Sequence, residues 1–364
     1  MEQKIIFRDG TKEGNDYIKE WLKGKKVLLV CESFMDSLEI AKSFEGADVV
    51  RFSGYSSNPT YESVVDGVKT YRANNCDAIA VVGGGSAIDV AKCIKLYNAM
   101  DDGEIYLKQE IVPNTIPFLA VPTTAGTGSE ATRFAVIYYK GEKQSVTHIS
   151  SIPDTVVFDS TILVNLPLYQ KKATMMDALC HAIESYWSVN STDESKSYAK
   201  AAIELILANY EAYLNCEDEA LKNMFKAANL SGKAINISQT TAGHAMCYKL
   251  TSLYGLSHGH AACFCVNKLW PYMISNTDKC IDPRGEDYLK GVFDEIATAM
   301  GCKSASEAAS KFAGIVDFLD LKHPEPKPED FDILKTSVNP VRLKNNPVGL
   351  DEDVIEKLYH EILY

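Results

Sequence analysis

One aspartate and three histidines in the middle third of the chain have the types and spacing to hold a metal ion. Asp177 and His181 lie in MMDALCHAIES, His244 in TTAGHAMCY and His258 in GLSHGHAA. Asp177 and His181 are four apart in an apolar, helix-favouring stretch, so both project from one helix face. A carboxylate with neutral imidazoles suits a divalent cation of borderline softness, iron or zinc. It also leaves coordination positions open for water or substrate. A single histidine in an apolar segment is more often a satisfied core residue; four candidate ligands together shift that balance. His260, two residues after His258, reads either as a donor behind the ligands or as a water-facing bystander.

A second chemistry is written upstream, in GGGSAIDVAK. In Gly83-Gly84-Gly85-Ser86 the missing side chains let backbone N–H groups approach a phosphate. The helix that follows adds favourable partial charge at its N-terminus. The spacing is not GxGxxG, and a plain strand-to-helix turn is the alternative. The loop PTTAGTGSEAT raises the odds of a phosphate site, with hydroxyls on Thr123, Thr124, Thr127 and Ser129 and glycines at 126 and 128. Both loops follow strands, so both are expected at the carboxyl edge of a sheet, where ligands bind. Glu32 follows the strand Val27 to Cys31. There it can accept from ribose hydroxyls and repel a 2′-phosphate, favouring NAD(H) over NADP(H); the alternative is a solvated loop carboxylate.

The elements that must position these residues follow from the periodicity. Strands are expected at 27–31, 48–52, 78–82, 118–121 and 155–158, with a hairpin over 133–148 turning near Gly141-Glu142. Helices are expected in FMDSLEIAKSF, in YESVVDGVKTYRANN after the Asn58-Pro59-Thr60 turn, and over 86–100. Such alternation implies a parallel sheet with helices on both faces. After Pro167 strand signals nearly vanish. Helical patterns run at about 168–190, 194–214, 217–237, 259–275, 284–300 and 305–320, and KHPEPKPEDF reads as a Pro-rich connection before the last helices. The expected division is an α/β dinucleotide-binding domain over 1–165 and an all-α metal-binding domain over 166–364.

Composition narrows the partners. The 364 residues carry a net charge of −12, which argues against nucleic acid or an anionic membrane as the main partner. A small anionic substrate stays compatible, because a local basic pocket can sit on an acidic protein. Ten cysteines show no framework spacing and no CxxC, so reduced thiols in a cytosol are expected. The polar start MEQKIIFRDG has no apolar signal core, and no stretch reaches membrane-spanning length. A cytoplasmic protein is expected, with a symmetric homodimer as the default assembly.

Together, GGGSAIDVAK, the PTTAGTGSE loop, the DALCHAIESY helix, His244 and His258 fourteen residues later resemble the iron-containing (group III) alcohol dehydrogenase family over essentially the whole chain. The resemblance implies a nicotinamide-dependent enzyme with a fold shared with dehydroquinate synthase. It implies that Asp177, His181, His244 and His258 hold a divalent metal, usually iron and sometimes zinc. By the same resemblance Gly84, Gly85 and Ser86, with Gly83 before them, touch the pyrophosphate. Thr123, Thr124 and Thr127 line the cofactor, and Lys143 lies near the nicotinamide ribose. Asp89 and Lys92 match the GGGSxxDxAK signature and read chiefly as helix and loop anchors. One departure concerns the proton route: many members have HAMAHP where this chain has HAMCYK, so Tyr248 replaces a histidine assigned to proton transfer. Tyr248, His260 or water must then serve. The other departure is His260 itself, where the family commonly has an apolar residue.

Arg133 lies just beyond the second cofactor loop, Lys249 within five residues of His244, and His148 and His260 add possible donors. Such a group can bind an anionic headgroup; surface or interdomain salt bridges are the alternative. SEATRFAVIYY, KQSVTH and TTAGHAMCYKLTSLYGLSHGH look like the phosphonoacetaldehyde reductase subgroup. That implies reduction of phosphonoacetaldehyde to 2-hydroxyethylphosphonate, with a general short-chain alcohol or aldehyde dehydrogenase as the alternative. A dehydroquinate synthase-type lyase is more distant, because the DALCHAIE helix is of the dehydrogenase type. A binding protein without activity would be expected to have lost ligands.

Overall fold

The apolar runs VLLVC, AIAVV and FLAV, buried along their whole length, form the middle of a parallel sheet in the computed structural model. The structure describes residues 3–8, 12–338 and 340–364. Its strands are β1 (Lys4–Arg8), β2 (Val27–Cys31), β3 (Val49–Phe52), β4 (Ala78–Gly83), β5 (Phe118–Pro122), β6 (Phe134–Tyr139), β7 (Glu142–Thr147) and β8 (Thr155–Asp159). Six of them pair in parallel in the order β1-β8-β5-β4-β2-β3, while β6 and β7 form the expected hairpin. Its turn falls on Lys140-Gly141, both with positive φ (54° and 81°), which matches the twist of the flanking strands. Alternation along β2 sends Leu28 and Val30 into one core and Val27, Leu29 and Cys31 into another on the opposite face. A strand buried on both faces needs helices above and below.

The N-terminal helices are α1 (Lys12–Leu22), α2 (Tyr61–Ala73), α3 (Gly85–Tyr97) and the short α4 (Ser160–Val164). Thr60 caps α2, its hydroxyl accepting from Ser63 N–H at 3.2 Å. The stretch FMDSLEIAKSF is not one α-helix, contrary to the periodicity reading. It forms two 3₁₀ turns, Ser33–Ser37 and Glu39–Ser43, separated by the extended Leu38. Backbone bonds recur every third residue, from Leu38 to Met35, Ala41 to Leu38 and Phe44 to Ala41, each 3.0 Å. Apolar residues at that interval line up at three per turn, so the tighter helix buries them. The edge strand β1, which short-range patterning does not flag, pairs along β8 from Lys4↔Thr155 to Arg8↔Asp159. Its buried Arg8 forms an ion pair with Asp159 at the end of the pairing.

The helical part comprises α5 (Leu168–Trp187), α6 (Asp193–Leu214), α7 (Asp218–Ser238), α8 (Ala242–Tyr254), α9 (His258–Ser275), α10 (Glu286–Ala299), α11 (Ala305–Leu319), α12 (Asp330–Thr336), α13 (Pro340–Leu343) and α14 (Glu352–Leu363). Periodicity alone does not reveal α8, because AGHAMCYKLTSLY mixes a glycine with polar and aromatic residues. Two compact units result: Met1–Leu166 with Cys216–Phe225, and Pro167–Asn215 with Lys226–Tyr364. In the first unit Phe225, early in α7, stacks on Phe158 with ring centroids 4.9 Å apart. Among the described residues no helix is long and apolar enough to cross a membrane, and all ten cysteines are free thiols.

In the second unit α5 is buried almost all round, as a central helix must be. Two glycines set how closely its neighbours approach. A β-carbon on Gly243 of α8 would lie 2.6 Å from Val266 Cγ2 and 2.9 Å from Glu184 Oε1. One on Gly259 of α9 would lie 2.0 Å from the Ala173 carbonyl oxygen and 2.6 Å from Asp177 Cβ. The obstacle at Gly259 is backbone and cannot rotate away. Gly259→Ala is therefore expected to destabilise the protein by about 2 kcal/mol or more, read as a lowered urea midpoint. A loss below about 0.5 kcal/mol, the size of an ordinary surface change, would contradict this packing.

Candidate functional site

Helix α5 carries Asp177, His181 and Glu184 at offsets of four and seven, so all three share one face. All are buried, with exposures of 2%, 5% and 0%. His244 comes from α8 and His258 is the first residue of α9. Asp177, His244 and His258 present donor atoms that all lie within 4.8 Å of one another. His181 lies against this trio rather than within it. Its ring stacks on His244 with centroids 4.5 Å apart, and its Nε2 is 3.9 Å from Asp177 Oδ1.

Glu184 organises the group from behind. Its Oε1 accepts from Thr241 Oγ1 at 2.6 Å and from the backbone N–H groups of Thr241 and His244 at 3.2 Å. Its Oε2 pairs with His244 Nδ1. With Nδ1 committed there, Nε2 is the atom that faces Asp177 Oδ1, 3.4 Å away. A carboxylate behind an imidazole fixes its tautomer and raises its basicity as a ligand. Burial alone would raise the Asp177 carboxyl, but His181 above all, then His244 and His258, hold it far below the usual range. Burial likewise works against the charged Glu184, and His244 outweighs it. His244 is pushed up to about 9, because Glu184 and Asp177 overcome its desolvation. Two buried carboxylates facing one imidazole favour positive charge at this point. A carboxylate-and-imidazole donor set with that polarity fits a divalent metal of the iron or zinc kind.

His258 is bounded by the segment that follows His244. The Tyr248 ring lies parallel to the His258 ring, centroids 5.4 Å apart and 13° between planes. Cys247 Sγ is 3.6 Å from His258 Nδ1. Tyr248 is half-buried, its ring against that of His258. His260 is 1% exposed, which excludes the water-facing reading. Its Nδ1 meets the Tyr169 hydroxyl at 3.1 Å, and Phe264 meets its ring edge-on at 4.6 Å.

In the first unit the two glycine-bearing loops touch. Thr123 N–H donates to Gly83 O at 3.0 Å. A β-carbon on Gly85 would meet Thr127 Cγ2 at 3.0 Å, and one on Gly84 would lie 3.6 Å from Thr124 Cγ2. Gly84 is the N-cap of α3 and offers no side-chain acceptor, so the first-turn N–H groups are left to other partners. Such a cradle fits a pyrophosphate. Ser86 Oγ donates to Ser57 O, leaving its backbone N–H as the group for an anion. Glu32 is exposed directly after β2. The register Cys31↔Val82 sets it level with the start of the glycine run.

The loop after β5 is anchored by α3. Lys92 is fully buried and its Nζ donates to Ser129 Oγ (3.1 Å), Thr132 O (2.7 Å), Thr132 Oγ1 (3.2 Å) and Phe134 O (2.7 Å). Asp89 accepts from Ser129 Oγ at 2.6 Å and from Val136 N–H at 2.9 Å. Burial drives Lys92 down to about 8 against the pull of Asp89, and raises Asp89 despite Lys92. These contacts match the expected anchoring role. Lys143 lies on β7 opposite Tyr138, where its charge acts on Asp89.

The candidate anion-binding residues are drawn from both units. Arg133 stands at the start of the hairpin in the first unit, its guanidinium 5.3 Å from the Phe134 ring centroid. His148 is engaged locally: its Nδ1 accepts from Ser150 N–H at 3.1 Å as the cap of a 3₁₀ turn. Lys249 belongs to the other unit, half-buried on α8.

Two residues escaped the sequence reading. Glu184 was within reach, since it falls seven residues after Asp177 on the same helical face. Tyr169 was not, because nothing local links it to His260. Glu184→Gln keeps the shape and removes the charge behind His244. Cation affinity, measured by Zn²⁺ or Fe²⁺ competition, is expected to fall about 10- to 100-fold while the fold, read by circular dichroism, persists. Unchanged affinity would remove the orienting role.

Comparison with known proteins gives the family. The family described as iron-containing alcohol dehydrogenase matches residues 2–160, and its C-terminal counterpart matches 171–363. A 1,3-propanediol dehydrogenase from Citrobacter freundii is 34% identical over 72% of this chain and 71% of its own. A phosphonoacetaldehyde reductase from Streptomyces viridochromogenes is 30% identical over 80% of this chain and 79% of its own. The crystal structure of sulfoacetaldehyde reductase from Bifidobacterium kashiwanohense in complex with NAD+ superposes with a TM-score of 0.86. It is 25% identical and covers 99% of this chain and 97% of that one. The chain belongs to the iron-containing alcohol dehydrogenase family and is an aldehyde/alcohol oxidoreductase of that family.

Proposed function

We propose that this protein uses NADH to reduce a small aldehyde with an anionic headgroup, phosphonoacetaldehyde first among them, to the corresponding alcohol, 2-hydroxyethylphosphonate. The observation that carries the catalytic part is the convergence of Asp177, His244 and His258, with Glu184 behind His244. Residues 1–165 serve the dinucleotide in this reading, and residues 166–364 hold the metal. When bound, the reduced nicotinamide supplies the hydride and the divalent metal supplies a Lewis acid that polarises the carbonyl.

The chain's own residues do the rest. Asp177, His244 and His258, with His181 stacked on His244, hold the cation. Glu184 keeps His244 in the tautomer whose Nε2 faces inward. The Gly83–Ser86 turn and Thr123, Thr124 and Thr127 hold the dinucleotide, Lys143 serves its ribose, and Glu32 disfavours a 2′-phosphate. Tyr248, parallel to His258, delivers a proton from its hydroxyl to the oxygen that becomes the alcohol. The pairing with Tyr169 makes His260 the weaker proton candidate. Arg133 and Lys249 are the proposed headgroup contacts, and the local engagement of His148 leaves it a lesser part.

Support for the headgroup comes from two relatives whose names carry a phosphonate or a sulfonate on acetaldehyde. The test is a panel of aldehydes followed by nicotinamide absorbance with metal-reconstituted protein. Phosphonoacetaldehyde is expected to exceed acetaldehyde and butanal in kcat/KM by roughly 100-fold or more. Equal efficiency on all three points to a general short-chain alcohol dehydrogenase, and no net nicotinamide change to a lyase. In the same assay Tyr248→Phe is expected to lower kcat by about 10²-fold, the lower range for a positioned proton donor, with little change in KM. An unaltered kcat would place the proton route elsewhere.

A further inference from the structure

Among the candidate ligands, His258 alone is the first residue of its helix. It opens α9 just after the left-handed Gly255 (φ 68°), and helix ends fray unless something ties them down. Ser257 occupies the N-cap, yet its side chain makes no capping hydrogen bond. The tie comes instead from the first turn of α5. Ser257 N–H donates to the Tyr169 hydroxyl at 3.0 Å. That hydroxyl meets His260 Nδ1 at 3.1 Å, its ring edge-on to the imidazole with centroids 5.8 Å apart. With one hydrogen and two lone pairs, the hydroxyl serves both partners at once.

One oxygen thus joins the residue before His258 to the residue two after it. The far side of this link is itself immobilised. His260 is buried against Phe264, which stacks on His323 with centroids 4.3 Å apart. Tyr169 shares α5 with Asp177, about two turns away, so the hydroxyl refers the start of α9 to the helix that carries the carboxylate.

We propose that Tyr169 is a positioning residue for the metal centre. Its hydroxyl holds the His258 backbone in register with Asp177 and so raises cation affinity, without touching cation or substrate. The proposal rests on His258 being a ligand.

Co²⁺ titration of the metal-free, full-length protein, followed by visible absorption, tests it. Tyr169→Phe keeps the ring and removes the oxygen. The Co²⁺ dissociation constant is expected to rise about tenfold, within the range for residues that orient ligands, with an altered absorption band. The melting temperature of the metal-free protein is expected to stay within about 1 °C, under the roughly 2–4 °C that 1 kcal/mol shifts a unit of about 150–250 residues. His260→Phe, which leaves the Ser257 bond, gives a smaller loss in the same direction. Affinity within twofold of the parent in Tyr169→Phe overturns the proposal. So does a weakened site accompanied by a clear fall in metal-free melting temperature, and so does a raised aldehyde KM with unchanged Co²⁺ affinity. His258→Ala separates the two readings. Loss of Co²⁺ binding there upholds the ligand assignment whatever Tyr169→Phe does, and unchanged binding there removes both.

Discussion

The buried contact between Glu184 and His244 is the constraint on which the rest of the metal centre depends. A carboxylate with no exposed surface is costly to bury unless every lone pair is used. Glu184 uses them on two backbone N–H groups, one hydroxyl and one imidazole. That set of partners fixes the start of α8 against α5. It also decides which nitrogen of His244 faces Asp177. The two carboxylates stand on opposite edges of one ring, so the centre holds excess negative charge that only a proton or a cation can balance. The carboxylate is tolerable inside the protein because Glu184 itself has its partners.

Close approach of helices makes this geometry possible. Gly243 and Gly259 each precede or follow a candidate ligand by one residue, and each lies where a methyl group would strike the neighbouring helix. Ligand and glycine are therefore one device: the side chain reaches the centre only because the adjacent residue has none. The first unit works on a comparable plan. Gly84 and Gly85 let the turn after β4 lie against the threonine loop after β5, while Gly83 makes room for Ala87 of α3. The buried Lys92 and the half-buried Asp89 beneath hold that loop through its hydroxyls and carbonyls. A lysine without exposed surface is stable here because four oxygens surround its ammonium.

Much of the fold was legible in the chain. Strands such as VLLVC and AIAVV announce themselves because burial on both faces demands unbroken apolar runs. The placement of Asp177 and His181 on one face of α5 is legible because helical spacing is local. Other elements were hidden for identifiable reasons. The 33–43 stretch has the apolar content of a helix, yet its three-residue interval selects 3₁₀ turns. The segment of α8 is helical because Glu184, Val266 and the surrounding core receive it, not because its own residues favour a helix. That His148 caps a turn through its Nδ1 was likewise not legible from its neighbours in the chain. Arg133 and Lys249, joined by charge in the sequence reading, belong to different compact units.

By itself the sequence determined the parallel α/β architecture, the helical second half, the glycine-rich cradle and the identity of the candidate ligands. Each of these is encoded over a few turns or one strand, where spacing maps directly onto direction. Tertiary structure alone decided which atoms meet: that Glu184 selects the His244 tautomer, that Tyr248 lies over His258, and that Tyr169 joins Ser257 to His260. Those contacts cross from one helix to another. They depend on packing distances that a residue's own neighbours do not contain.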